Sequence, residues 1–230
     1  MTMDDADSTI YSAFFVAEEG TMSSFQGVRD VIEQRGLFGS LYADRGAHYW
    51  VTTEAGGKVD KANPTQFHRG LKQLGIELIA AYSPEARGRS ERMFGTLQRR
   101  LPQELRVVGG TTMDGANRYL RETFLPAHNA QFGVAPAESW SAFVPWAGGG
   151  LGEILCIREE RTIRNDNTVR YNRLVLQIPA DRHRHHYVKA KVRVHEHADG
   201  TLTIFYGARC LARFDGQGRP SDAEGRKVAA

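Results

Sequence analysis

Two carboxylates stand where side-chain type and position could do chemistry, Asp44 and Glu91. Asp44 closes the run Gly39-Ser-Leu-Tyr-Ala-Asp44, which reads as a short buried strand, and the Arg-Gly pair after it reads as a turn. A carboxylate at the carboxyl end of a strand faces the crevice where open α/β sheets bind ligands. Glu91 lies in the stretch 82–101, where Met93, Phe94, Leu97 and Leu101 recur at helical spacing as an apolar stripe, with Arg92, Thr96 and Arg99 on another face. Glu91 projects between these faces. Gly88 and Gly95 near it offer no side-chain bulk, so a ligand backbone could come close. The plain alternative is a surface Glu with an Arg neighbour. Acids on neighbouring elements are what a hard cation such as magnesium requires, since it takes carboxylate and water oxygens.

The elements that must position these acids follow from periodicity and punctuation. Residues 1–3 run into the turn Asp4-Asp5-Ala6-Asp7, which joins them to the apolar run 10–16 as a hairpin. Residues 21–34 read as a helix burying Phe25, Val28, Val31 and Ile32 and ended by Gly36. The polar stretch 48–63, with Gly56-Gly57 and Lys58, Asp60 and Lys61, reads as a loop or flap. A second helix fits 64–74, with Gly75 past its end, and 76–81 is a buried strand leading into the Glu91 helix. Pro102 predicts a break at Leu101, and 113–124 a further helix. A linker at 143–152 carries Pro145 and Gly148-Gly149-Gly150. Beyond it the period changes to two. Val188, Ala190, Val192 and Val194 alternate with Lys189, Lys191 and Arg193, an apolar face against a basic one. Asp199-Gly200 signals a hairpin into 201–206, 168–178 reads as strand, and the tail after Asp215 reads as disordered.

The segments SLYADRGAHY (40–49) and YSPEARGRSERMFGTLQ (82–98), with PAHNAQFGVAPAE (126–138), resemble in order the catalytic core of insertion-sequence transposases and retroviral integrases, the DDE recombinases with a ribonuclease H-like fold. The resemblance implies an α/β ribonuclease H-like integrase core over residues 1–142, a mixed sheet flanked by helices with its first strand missing. A linker at 143–152 then leads to a small all-β, SH3-like barrel over 153–215, similar to those ending integrases and Mu-type transposases, and to a tail at 216–230. It further implies metal-dependent phosphodiester cleavage and strand transfer. Asp44 and Glu91 would be catalytic acids and ligands of Mg2+ or Mn2+ in a two-metal site, which stabilises attacking and leaving oxygens together. A strand bearing the first catalytic Asp would precede the hairpin, so activity is expected to be impaired. Asp4, Asp5 and Asp7 are alternatives for that acid, although turn chemistry accounts for them. The alternative function is a non-catalytic DNA-binding or regulatory fragment of a transposase.

The implied partners are double-stranded DNA, as transposon ends and target, and further copies of the chain in a transpososome. Candidate phosphate contacts are Arg87, Arg89, Arg92 and Arg99 on the Glu91 helix, which also fit a solvated face, and Arg182, Arg184, Lys189, Lys191 and Arg193 beyond the linker. The run Arg182-His-Arg-His-His186 admits a metal reading, but it lacks separated ligand pairs and reads better as a DNA contact. Charge agrees with this division. Residues 1–150 hold 15 Lys and Arg against 17 Asp and Glu, whereas 151–230 hold 15 against 10 and five of the eight His. Hydrophobic residues at 41% fit a soluble globular chain with cores, and no apolar run suits a membrane span. Cys156 and Cys210 show no zinc spacing; a disulfide between them stays open, and a reducing cytoplasm is the expected compartment. Trp50, Trp140 and Trp146 read as packing residues.

Overall fold

The computed structural model describes residues 1–221 except 53, 55, 56, 83, 110, 111, 137, 139 and 182, and only the backbone of 84–87. The chain divides into two compact units, Met1–Leu151 and Gly152–Ala230. In the first, the order is β1 (Thr2–Met3), β2 (Ile10–Ser12), α1 (Thr21–Arg35), β3 (Ser40–Ala43), β4 (Val51–Thr52), β5 (Val59–Asp60), α2 (Gln66–Gln73), β6 (Glu77–Ala80), α3 (Pro84–Val107), α4 (Met113–Tyr119), a π-helical turn (Leu120–Phe124) and α5 (Leu125–Phe132). The short helix α6 (Leu151–Ile154) begins at the boundary. The second unit holds β7 (Ile157–Thr162), β8 (Thr168–Tyr171), β9 (Leu174–Gln177), β10 (Lys191–Glu196), β11 (Leu202–Tyr206) and β12 (Arg209–Phe214).

The pairing that matters most for position is parallel. β3 runs beside β6 from Ser40 opposite Glu77 to Ala43 opposite Ala80. Parallel strands need a crossover, and the segment carrying β4, β5 and α2 provides it. β1 and β2 form the expected antiparallel hairpin, although β2 stops at Ser12 and leaves Phe15 and Val16 exposed. α1 buries Phe25, Val28, Val31 and Ile32, each contributing about 1.5–3 kcal/mol by leaving water. β3 differs from the buried strand expected. Its residues alternate between exposed and half-buried, and Tyr42 is 56% exposed, so one face of the β3–β6 pair meets solvent. In the polar stretch expected as a loop or flap, β4 and β5 pair antiparallel, Val51 opposite Asp60 and Thr52 opposite Val59.

The expected break at Pro102 is absent, because α3 runs through it to Val107. Proline there removes one helical hydrogen bond and costs about 3 kcal/mol. Leu97 and Leu101 are buried before it and Leu105 is partly buried after it, all in one cluster with Ile10, Leu120, Phe124 and Leu125. That burial outweighs the local defect. The helix expected over 113–124 instead continues to Phe132, and the π-helical turn widens it by one residue per turn where Leu120, Phe124 and Leu125 enter the core.

Part of the expected linker is fixed. Leu37 and Val144 exchange backbone hydrogen bonds at 2.7 and 2.8 Å, and Phe143 packs edge-on against Tyr11 with ring centroids 5.5 Å apart. Among the tryptophans Trp50 is buried, but Trp140 is 68% exposed, so its packing role does not hold.

In the second unit β12, β11, β10 and β7 form an antiparallel sheet in that order, and β8 with β9 forms a hairpin turned by Asn172 and Arg173, both at positive φ. Sheet and hairpin share one core of Val169, Leu176, Val192, Val194, Ile204 and Phe214 with others. The basic strand begins at Lys191 rather than Val188. Lys189 adopts φ 62° in a turn closed by the Ala190 N–H on the Tyr187 carbonyl, so it lies before the ladder. Gly200, at φ 79°, makes the expected turn into β11. Residues 216–221, expected in the tail, fold back on β12 through Ser221 N–H to the Arg213 carbonyl at 2.9 Å; the remainder of the tail lies outside the described residues.

Candidate functional site

Asp44 is the residue after β3 and α3 begins four residues after β6, so both acids are carried off the same carboxyl edge of the parallel pair. Glu91 is seven residues into α3, about two turns, and is exposed. The Gly46 N–H donates to Asp44 Oδ1 at 2.9 Å, and a Cβ on Gly46 would come within 3.0 Å of that oxygen. The glycine after Arg45 therefore lets the chain turn tightly around the carboxylate.

The ribbon β4–β5 is tethered to the same edge. The Val59 N–H donates to the Tyr82 hydroxyl at 3.2 Å, and Arg45 reaches the Gly57 carbonyl at 3.3 Å while its guanidinium lies 5.5 Å from the centre of the Tyr82 ring. Arg45 and Tyr82 are the residues that flank Asp44 and the exit of β6. Their part was missed in the sequence because each stood beside a stronger signal.

Along α3 the arginines behave differently from one another. Arg92 and Arg99 lie back on their own helix, donating to the Gly88 and Gly95 carbonyls at 3.0 and 3.1 Å. Among the described residues, a Cβ on either glycine would meet nothing within 4 Å outside the helix's own backbone. Arg89 pairs with Asp5 at 3.7 Å and also donates to the Asp5 carbonyl. The side chain of Arg87 lies outside the described residues. Phe94, a member of the apolar stripe, is 46% exposed.

The three N-terminal acids divide between their own turn and α3. Asp4 accepts the Ala6 N–H at 2.7 Å and the Tyr11 hydroxyl at 2.8 Å, and Asp7 accepts the Thr9 N–H at 2.8 Å. Asp5 reaches α3 through its pairing with Arg89. In the third motif, Asn129 holds both backbone groups of Ile10 at 2.9 Å each. His128 is buried between Phe124 and Phe132, with neither ring nitrogen hydrogen-bonded, and burial pushes its pKa down, with Arg100 adding to the effect. Asn129 thus does more than end a helix.

In the second unit Lys189, Lys191 and Arg193 are exposed, as a phosphate contact requires. Lys191 pairs with Glu160 at 2.8 Å and Arg193 donates to the Gly207 carbonyl at 2.7 Å. Contacts this exposed are screened by solvent and can exchange for a phosphate. Arg184 lies 5.3 Å from the Tyr187 ring, and Arg182 is outside the described residues.

The basic run is shaped by Asp181, which sequence reading passed over. Its carboxylate accepts the Tyr187 hydroxyl at 2.8 Å, the N–H groups of His183 and Arg184 at 2.8 and 2.9 Å, and the Arg209 guanidinium at 3.1 Å. The Tyr187 bond, then the backbone and Arg209 bonds, hold its carboxyl well below the usual carboxylate range. A depressed folded pKa stabilises fully above the unfolded value of about 3.9 and is lost as pH falls towards the folded value. Urea unfolding followed from pH 7 to pH 3 is therefore expected to show Asp181→Asn less stable at neutral pH, with its gap from the natural chain narrowing below about pH 4. A constant gap would remove Asp181 as the source.

A second group of side chains gathers in this unit. Glu153, Cys156 and His195 place ligand-type atoms within 4.8 Å of one another, the one such group of three or more among the described residues. His195 Nδ1 lies 2.7 Å from Glu153 Oε2, and burial pushes the His195 pKa down despite that bond. Neither cysteine is in a disulfide; Cys156 is buried and Cys210 exposed.

The fold is thus mixed α/β, with a two-stranded parallel pair carrying two acids and a small antiparallel sheet after it. No family model matches the chain. It is similar to a Sinorhizobium fredii protein named as transposase y4bF, 32% identical over 213 residues, covering 91% of this chain and 46% of that one. It is also similar to the transposase for insertion sequence IS1202 of Streptococcus pneumoniae, 30% identical over 133 residues, 58% of this chain and 28% of that one. The chain therefore spans half or less of the length of these curated relatives, both named as transposases. Among the described residues no helix is long and apolar enough to cross a membrane.

Proposed function

We propose that this chain is part of a DNA transposase of the DDE recombinase type. Its first unit would be a portion of a ribonuclease H-like core with Asp44 and Glu91 as two catalytic acids, and its second a DNA-binding module of the small-barrel kind. The observation that carries the reading is the register of β3 against β6, which sends Asp44 and the Glu91 helix off one edge. Likeness to two transposases supports the class. The reaction would be phosphodiester cleavage and strand transfer on transposon ends and target DNA, in an assembly of several copies acting in the cytoplasm. Arg89, Arg92 and Arg99 would neutralise phosphates arriving along the Glu91 helix, and Lys191 and Arg193 would hold flanking duplex.

Carboxylate oxygens suit Mg2+ or Mn2+ in kind. In number they do not enclose a metal pair, because among the described residues Asp44 and Glu91 belong to no group of three metal-capable side chains. A third ligand would have to be supplied to this edge. Asp4 and Asp7, whose carboxylates are engaged in the hairpin turn, favour a second reading in which the chain recognises DNA without cutting it.

Mn2+-dependent nicking of short duplex DNA, measured beside Asp44→Asn and Glu91→Gln, tests the first reading. Nicking is expected to be weak and to fall in each variant by at least the roughly 10–100-fold that indirect changes at metal sites cause. Undiminished nicking in both variants would remove these acids from the mechanism. Tight binding with no nicking selects the second reading. In either case Lys191→Ala with Arg193→Ala is expected to reduce the slope of log affinity against log salt by about 2, one unit for each phosphate no longer neutralised.

A further inference from the structure

The gathered side chains of the second unit have a donor set unlike that of the Asp44 edge. Glu153 lies in α6 and Cys156 three residues on, just before β7, while His195 is the fifth residue of β10. β7 and β10 are antiparallel with Ile157 opposite Glu196 and Arg158 opposite His195, so the ladder brings two segments about 40 residues apart to the same end of the sheet. Cys156 is fully buried and His195 is 4% exposed. Cys156 Sγ lies 3.0 Å from the Glu153 carbonyl, and buried His195 Nε2 has no hydrogen-bond partner. His197 stands next to the group, its Nε2 3.9 Å from Glu153 Oε1 and 2.9 Å from the Thr203 hydroxyl.

We propose that Glu153, Cys156 and His195 form a structural zinc site in the second unit, with His197 or a water completing the four ligands. Sulfur, imidazole nitrogen and one carboxylate oxygen are the donors Zn2+ takes, whereas magnesium and calcium take oxygen alone. Their 4.8 Å span closes to a tetrahedral shell by shifts of about 1 Å, since Zn–S is near 2.3 Å and Zn–N and Zn–O near 2.0–2.2 Å. On binding, Cys156 gives up its thiol proton to solvent, and the Glu153–His195 hydrogen bond is exchanged for bonds to the metal as the imidazole proton moves from Nδ1 to Nε2, leaving Nδ1 as the neutral ligand. One thiolate and one carboxylate then balance the dication. Cys156 and His195 are buried and Glu153 half-buried, so the ligand charges offset the dication where water is largely excluded. The metal would fasten the start of β7 to the end of β10, the interior strand that also carries Lys191 and Arg193. This inference does not rest on the catalytic reading of the first unit.

The test uses the full chain, stripped with a chelator and reloaded. Metal analysis is expected to find one zinc per chain, and cobalt substitution to give the thiolate-to-cobalt charge-transfer band of a sulfur-ligated tetrahedral ion. Cys156→Ser abolishes the band and Cys210→Ser leaves it. Glu153→Gln, which keeps the thiol should Cys156→Ser fail to fold, retains the band with affinity at least about 10-fold weaker. Substoichiometric zinc, a band lost in Cys210→Ser, or unchanged affinity in Glu153→Gln overturns the site.

Discussion

Gly36→Ala is expected to destabilise the first unit by about 3 kcal/mol or more, seen as a fall in its urea midpoint. Gly36 ends α1 at φ 108° and ψ −173°, a region essentially restricted to glycine, so the backbone conformation alone costs an alanine about 1–3 kcal/mol. The space is closed as well. A Cβ there would lie 2.3 Å from the Val144 carbonyl oxygen and 2.8 Å from its carbon. That obstacle is backbone and cannot rotate aside, and it is held by the hydrogen bonds between Val144 and Leu37. Relief requires opening the bridge that anchors the entry to β3, the strand that presents Asp44. Gly88→Ala and Gly95→Ala make the contrast. Both lie inside α3 with open space around them, so each is expected to leave stability unchanged or raise it by about 0.5–1 kcal/mol. An unchanged midpoint in Gly36→Ala would mean that the α1–β3 corner is not set by this approach of backbone to backbone.

What could be read from sequence was what neighbouring residues decide together. The helix over Thr21–Arg35 was legible because Phe25, Val28, Val31 and Ile32 repeat at its period and a glycine stops it. Asp199-Gly200 was legible because its turn needs positive φ at one place. The edge carrying Asp44 and Glu91 was legible through strand, turn and helix signals in order. Pro102 misled because its penalty is local, whereas the burial of Leu101 against Ile10 and Leu120 is set by distant chain. Alternation continues through Lys189 and predicts strand there, but the Tyr187–Ala190 turn takes precedence. The grouping of Cys156 with Glu153 and His195 could not be read from cysteine spacing, since its parts meet only once β7 pairs with β10. The sequence signal it does leave is a pair of separated ligand pairs, Glu153-x-x-Cys156 and His195-x-His197.

Asn129→Ala is expected to cost about 2–4 kcal/mol, and Asn117→Ala about 1 kcal/mol or less, although each asparagine makes the same two bonds. Asn129 accepts the Ile10 N–H and donates to the Ile10 carbonyl, both at 2.9 Å, and so stands in for a neighbouring strand beside β2. Asn117 does the same for Phe15 at 2.6 and 3.0 Å. The difference is access to water. Ile10 is 2% exposed and Phe15 39%, so water can replace the missing amide at Phe15, whereas at Ile10 a donor and an acceptor are left buried and unpaired. Asn129→Asp should fall on the severe side too, because it keeps the acceptor but turns a carboxylate oxygen towards the Ile10 carbonyl. Chemical denaturation of the three variants side by side checks this. Equal losses at the two asparagines would mean that the bonds themselves, rather than the burial of Ile10, fix β2 against α5; the unequal losses expected here locate the constraint in the core that Ile10 shares with Leu97 and Leu101 of the Glu91 helix.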